Sequence, residues 1–148
     1  MSAQRSFATE EWQTLQFAPL WVFAQVAGAD RKIDKKEMAA LAKEISEAPL
    51  FKGALVREVL ISVRGDFENV WRQFQADPRG VLEGLQEVRQ LLDSQVSADD
   101  AKRFKGSMLL IGRNIAEASG KLFGSKVCEE EKAALALVSI ALNMSLSE

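Results

Sequence analysis

The residues best suited to chemistry are three acidic side chains close together in the chain, Asp30, Asp34 and Glu37. Asp34 and Glu37 are three residues apart, so a helix beginning there would place them one turn apart on the same face. Carboxylate and carbonyl oxygens are the ligands that hard cations such as Ca²⁺ and Mg²⁺ prefer. The spacing therefore predicts a divalent-cation site. We expect Glu131, which ends a later acidic run, to contribute a fourth carboxylate.

A second interpretation of the same residues is structural. Asp34 and Glu37 form a D-x-x-E capping box, in which both side chains bond backbone N–H groups at a helix start, and Asp30 would satisfy amides of the preceding turn. The stretch is not an EF-hand. Counted from Asp30, Lys32 and Leu41 stand at positions 3 and 12, where that loop requires oxygen ligands. Because capping and coordination compete for the same carboxylate oxygens, both interpretations remain open.

Other kinds of catalytic site lack their usual residues. The chain contains no histidine, which excludes Ser-His-Asp and Cys-His systems and removes the most common metal ligand. Its one cysteine, Cys128, forms neither an internal disulfide nor a cysteine zinc site. A metal-dependent hydrolase built on paired carboxylates ranks last among three candidate functions, because the chain offers no histidine base and no second acidic pair. We therefore predict that the protein is not an enzyme.

Charge and hydropathy indicate where the protein acts. Nineteen basic and 21 acidic side chains leave a net charge of −2, which offers no electrostatic footprint for nucleic acid. No apolar stretch reaches the roughly 20 residues that cross a bilayer, and the N-terminus lacks the apolar region of a signal peptide. We expect a cytoplasmic protein without a transmembrane segment.

The elements that must position the acidic residues are predicted to be helices only. Hydrophobic residues make up 47% of the 148, enough for the core of a single domain over residues 1–148. Tyrosine is absent and threonine occurs twice, so strand-forming residues are scarce. Apolar periodicity and capping residues predict an all-α, compact bundle of about seven helices, beginning after Thr9, after Asp34, at Leu50, at Phe67, after the N-cap Asp77, after Ser97 and at Cys128.

Three details of these helices can be tested directly. Pro19 lies inside the first helix and predicts a kink or a break near Ala18. The last helix has apolar residues on several faces, which predicts a central, buried element. The second helix shows a single apolar stripe formed by Met38, Leu41, Ala42 and Ile45.

An internal repeat is the most informative feature of the chain. Residues 32–42 recur as residues 126–136, with six of eleven positions identical and a Glu, Glu37 or Glu131, at the same place in each copy. Repeats of this kind bury their faces on each other. The pattern predicts a pseudo-twofold bundle with the second and last helices near its centre.

Two motifs resemble the TerB-like (tellurite-resistance) family. Residues 26–37, V-A-G-A-D-R-K-I-D-K-K-E, look like its A-D-G-x-I-x-x-x-E signature, and residues 119–131, S-G-K-L-F-G-S-K-V-C-E-E-E, are similar to its second glycine-containing loop followed by V-S-x-x-E. The resemblance implies an all-helical fold with an internal repeat, a role in tellurite resistance, stress responses or modules near membranes, and an acidic cluster that binds divalent metal. The chain departs from the pattern at Arg31, where glycine is usual, and at Cys128, where a small hydroxyl residue is usual.

Two functions follow from these observations. The first is a non-enzymatic TerB-like helical module that binds a divalent cation and relays stress state to a protein partner, with membrane association only through that partner. The alternative is a protein-interaction adaptor whose acidic loop is purely structural.

Overall fold

The described part of the chain forms seven helices, the number predicted from the sequence, although the third begins at Ala54 and not at Leu50 as predicted. The computed structural model describes residues 7–27, 35–47, 51, 53–120 and 129–143, and this part of the chain contains no strand. The all-α prediction is confirmed. The helices are α1 (Thr9–Ala27), α2 (Lys35–Ser46), α3 (Ala54–Gly65), α4 (Phe67–Ala76), α5 (Val81–Gln95), α6 (Ala98–Gly120) and α7 (Glu129–Ala141).

Helix α1 is the central element. It packs against α3, α4, α5, α6 and α7. Its middle is buried on every side. The hydrophobic residues from Phe17 to Phe23 each have at most 2% of their surface exposed, and Pro19 between them is also buried. Of the predicted kink or break near Ala18, the break is wrong, because α1 runs unbroken through Pro19. Dense packing around the helix offsets the hydrogen bond that proline cannot donate.

The second and last helices do not occupy the centre. Helix α2 lies against α3 and α6, and α7 lies against α1, α5 and α6. The prediction that placed α2 and α7 at the middle of the bundle is therefore wrong. The larger aliphatic and aromatic side chains of α1 fill that position, whereas alanine-rich helices have less apolar surface to bury.

Two helix starts show how capping residues are used. Helix α6 begins as predicted, because the Ser97 hydroxyl accepts a hydrogen bond from the Asp100 backbone N–H at 3.1 Å. Helix α5 begins only at Val81, because the predicted N-cap Asp77 instead accepts bonds from the backbone and side chain of Arg79. The prediction of a helix starting directly after Asp77 is wrong by three residues for this reason.

Close approach of α1 to α5 depends on one glycine. Gly84 on α5 is buried against the indole of Trp21, and a Cβ at this position would lie 2.6 Å from Trp21 Cδ2 and closer still to two other ring atoms. The indole also meets the edge of the Phe17 ring, with ring centroids 5.5 Å apart. Only a residue without a side chain allows the helix and the ring to pack at this distance.

The Gly84→Ala variant is expected to lower the free energy of unfolding by about 1–3 kcal/mol, because the added methyl group forces Trp21 or α5 to move. Urea denaturation followed by tryptophan fluorescence measures this loss. Gly65→Ala is the matched control, since no atom lies within 4 Å of a Cβ at that helical position. It should be neutral or slightly stabilising. Equal effects of the two substitutions would contradict the packing argument.

Candidate functional site

The predicted cation site falls mostly outside the described residues. Asp30 and Asp34 lie outside them. Glu37 and Glu131 belong to described helices, but their side chains are outside the described part of the structure. Each of these glutamates is the third residue of its helix, α2 or α7. Within the described ranges, no group of three or more His, Cys, Asp or Glu side chains is arranged to hold a metal ion. The four-carboxylate site therefore remains a prediction.

Arg79, in the connection between α4 and α5, forms the densest polar cluster of the described structure. Its guanidinium makes a bidentate pair with Asp77, at 2.9 Å from Nε and 2.8 Å from Nη2. Nη1 donates to the Glu87 carboxylate at 3.1 Å and to the Thr14 hydroxyl at 3.0 Å. The guanidinium also lies over the Trp21 ring, 4.9 Å from its centroid, which adds a cation–π attraction.

This cluster is a structural clamp and has little capacity left for a ligand. Four of the five guanidinium N–H groups are used within the chain. The hydrogen bond from Arg79 lowers the pKa of the Asp77 carboxyl, and burial only partly opposes this effect. Asp77 in turn raises the pKa of Arg79, so the pair stays charged at every physiological pH. The clamp ties the α4–α5 connection to α1 and α5.

The Arg79→Lys variant is expected to lower the free energy of unfolding by about 2–3 kcal/mol, because lysine reproduces neither the bidentate pair nor the ring contact. Thermal denaturation at neutral pH measures the loss. Arg103→Lys provides the matched control, since the Arg103–Asp99 pair is more than half exposed on both sides and should contribute little. Similar losses in the two variants would show that Arg79 is not a special contact.

A cleft of about 490 Å³ lies between α2 and α6. The Glu44 side chain lies beside it with only 4% of the residue exposed, and its Oε1 accepts a hydrogen bond from Asn114 Nδ2 at 2.9 Å. Phe51 and Leu110 form apolar walls. Burial is the main effect and raises the pKa of the Glu44 carboxyl. The Asn114 hydrogen bond lowers this pKa, the charge of Glu47 raises it, and the charge of Lys43 lowers it.

Glu44 was not predicted as a site residue from the sequence, although its helical spacing indicates that it is buried. Glu44 is three residues after Leu41, on the face that α2 turns toward the core, and both residues are buried. Ala42, assigned to the apolar stripe, is exposed, so that assignment is wrong. Glu44 could have been identified as a charged residue at a position where the helical period of α2 predicts an apolar one.

The Glu44→Gln variant is expected to raise the free energy of unfolding at neutral pH by about 1 kcal/mol, because it removes a charge that burial disfavours and keeps the shape. A raised folded-state pKa means that wild-type stability falls as pH rises from the ordinary carboxyl value through the raised one. The gain should therefore vanish at pH values below the ordinary carboxyl pKa. Thermal denaturation across this range measures both effects.

Glu68→Gln is the control for Glu44→Gln, because Glu68 is exposed on α4 and its removal should change stability little at either pH. A lower melting temperature for Glu44→Gln at neutral pH would contradict the charge-burial argument.

The outer face of α7 is apolar and uncovered. Ala133, Leu137 and Ile140 are exposed at positions i, i+4 and i+7, with Ile140 71% and Leu137 41% exposed. The opposite face, which includes Val138 and Leu142, is buried. The prediction that the last helix is wholly buried is wrong. A helix that is apolar on opposite faces normally lies inside a protein, whereas one apolar face of α7 is exposed.

Comparison with known proteins gives a relative without an assigned activity. The chain is 28% identical over 151 aligned residues to the uncharacterized protein ORF11' of Methanothermobacter thermautotrophicus, and the match covers 97% of this chain and 94% of the relative. No protein-family model matches the chain, and no solved structure matches it. Among the described residues, no helix is both long enough and apolar enough to cross a membrane.

Proposed function

We propose that the protein is a non-enzymatic helical interaction module whose α7 binds an amphipathic helix of a partner protein. The observation that carries this proposal is the exposure of Ile140 and Leu137 on a helix that is apolar on both faces. Large apolar side chains in a continuous stripe mark interaction surfaces more often than isolated ones do.

The dimensions of the face favour a single helix as the partner. Helix α7 has 13 residues, so it is about 20 Å long, and its exposed stripe is about one helix wide. A contact limited to this stripe is smaller than the about 800 Å² per side that a stable dimer buries, which fits a transient complex with a single helix. The described exposed positions from Ala133 to Ile140 carry no charge. The complementary surface is therefore an apolar helical face with anchors at i, i+3 or i+4, and i+7.

A peptide selection tests this function. A library of displayed 16-residue peptides (about four helical turns) is selected on the wild-type protein and then screened on the Ile140→Glu variant. Peptides with apolar residues at helical spacing should be enriched, and each should lose about 30-fold in affinity on Ile140→Glu, a loss typical of an interface hot spot.

The matched control is Ile61→Glu, at an isoleucine on α3 that is 42% exposed. Its peptide affinity should equal that of the wild type, and both variants should keep the wild-type melting temperature. Peptides without helical spacing, or equal binding to Ile140→Glu, would contradict the proposal. A wild-type dimer in sedimentation velocity that Ile140→Glu abolishes would assign the face to a second copy instead.

The TerB-like cation module is the second candidate. It is supported by the register of the two repeat copies, because Glu37 and Glu131 are both the third residue of their helix. In this proposal Asp30, Asp34, Glu37 and Glu131 bind Ca²⁺ or Mg²⁺ around a pseudo-twofold axis, and the module acts in the cytoplasm in a stress or tellurite-resistance response.

Titration with Ca²⁺, Mg²⁺ and Mn²⁺ during thermal denaturation tests the cation module. A cation at 100 times its Kd should add about 2.7 kcal/mol to the free energy of unfolding, which raises the melting temperature by several degrees. The combined Asp30→Asn and Asp34→Asn variant should lose this shift. Absence of any shift at millimolar cation would remove the cation site, and a shift that survives the double variant would contradict the ligand assignment.

A further inference from the structure

We infer that the cleft between α2 and α6 binds a small primary amine with an apolar body, and that the Glu44 carboxylate receives its ammonium group. This site is separate from the α7 face and independent of the function proposed above.

Glu44 is a buried carboxylate that forms no ion pair within the part of the chain that the structure describes. Glu44 is 4% exposed, and its described hydrogen-bond donor is the neutral amide of Asn114. Among the described residues, none of the ion pairs includes Glu44. Buried carboxylates are normally paired with a cation, because a neutral amide does not compensate for lost hydration of the charge. A cationic ligand in the cleft would complete the pair.

The walls of the cleft are partly apolar. Phe51 and Leu110 line the cleft, and Leu110 is 48% exposed, so an apolar ligand would cover a leucine that otherwise faces water. Gly106 adds no side chain to the wall. The volume of about 490 Å³ lies within the range of small-molecule sites, which combine apolar walls with a few polar groups.

The two carboxylates that line the cleft favour a cationic ligand. Glu44 and Glu47 both line it, and a second carboxylate near the first disfavours anionic ligands. Arg103 also lines the cleft and Lys43 is next to Glu44 in the chain, but both side chains are exposed, where water and salt screen their charges. Asn114 fixes one oxygen of Glu44 by its hydrogen bond. The ligand chemistry that fits is therefore a cationic head on an apolar body.

The experiment is an NMR titration of the full chain at neutral pH with n-hexylammonium chloride. Two further probes separate the parts of the ligand: n-hexanol carries the same body without the charge, and ammonium chloride carries the charge without the body. Hexylammonium should shift the backbone amide signals of residues around Glu44 and Leu110. It should bind at least about tenfold more tightly than hexanol or ammonium, since charge-assisted bonds and apolar burial both contribute.

Two variants test the role of the carboxylate. Glu44→Gln should weaken hexylammonium binding at least about tenfold while leaving hexanol binding unchanged. Glu47→Gln removes the same charge from the rim and should weaken binding less than about twofold. Because Glu44→Gln is expected to raise thermal stability, a simultaneous loss of amine binding cannot come from unfolding.

Several results would overturn the inference. Equal affinities for hexanol and hexylammonium would show that the carboxylate takes no part. Equal losses in Glu44→Gln and Glu47→Gln would show only a general attraction between charges. Signal changes confined to residues outside the cleft, or none at millimolar amine, would show that the cleft is not a binding site for this chemistry.

Discussion

The guanidinium of Arg79 is the contact through which the connection between α4 and α5 is fixed to the rest of the bundle. Its bidentate pair with Asp77 closes the connection locally, and its bonds to Thr14 and Glu87 reach α1 and α5. The same group lies over Trp21, whose ring in turn fills the space left by Gly84. Together with the packing of Trp21 on Gly84, this planar cation with five donors fixes the α4–α5 connection against α1. A shorter or more flexible side chain would leave several polar groups without partners.

Helix identity was largely predictable from the sequence, because it depends on local periodicity and caps. The number of helices, the Ser97 cap and the short helix at Phe67 all agree with the structure. The central position of α1 was not predictable in the same way. Apolar character on several faces was visible in both the first and the last helix, and only the packing of the whole chain determines which of them is enclosed.

The site was less predictable than the fold for a physical reason. Acidic residues at a helix start give a visible pattern, whereas Glu44 and Arg79 acquire their meaning from partners far away in sequence. Glu44 meets Asn114 across 70 positions, and Arg79 meets Thr14 across 65. Local spacing does not encode such contacts. The local sequence indicates Glu44 in one way: a glutamate stands at a position of α2 where the helical period predicts an apolar residue.

The central position of α1 also affects when its apolar surface becomes enclosed during synthesis and folding. Helix α1 spans residues 9–27 and its principal partners include α5 and α6, which end at residues 95 and 120. During synthesis from the N-terminus, its aromatic surface thus leaves the ribosome well before most of the surfaces that will enclose it exist. Contacts between segments so distant in sequence form slowly, so the Trp21 face of α1 is enclosed only after α5 and α6 have been synthesised.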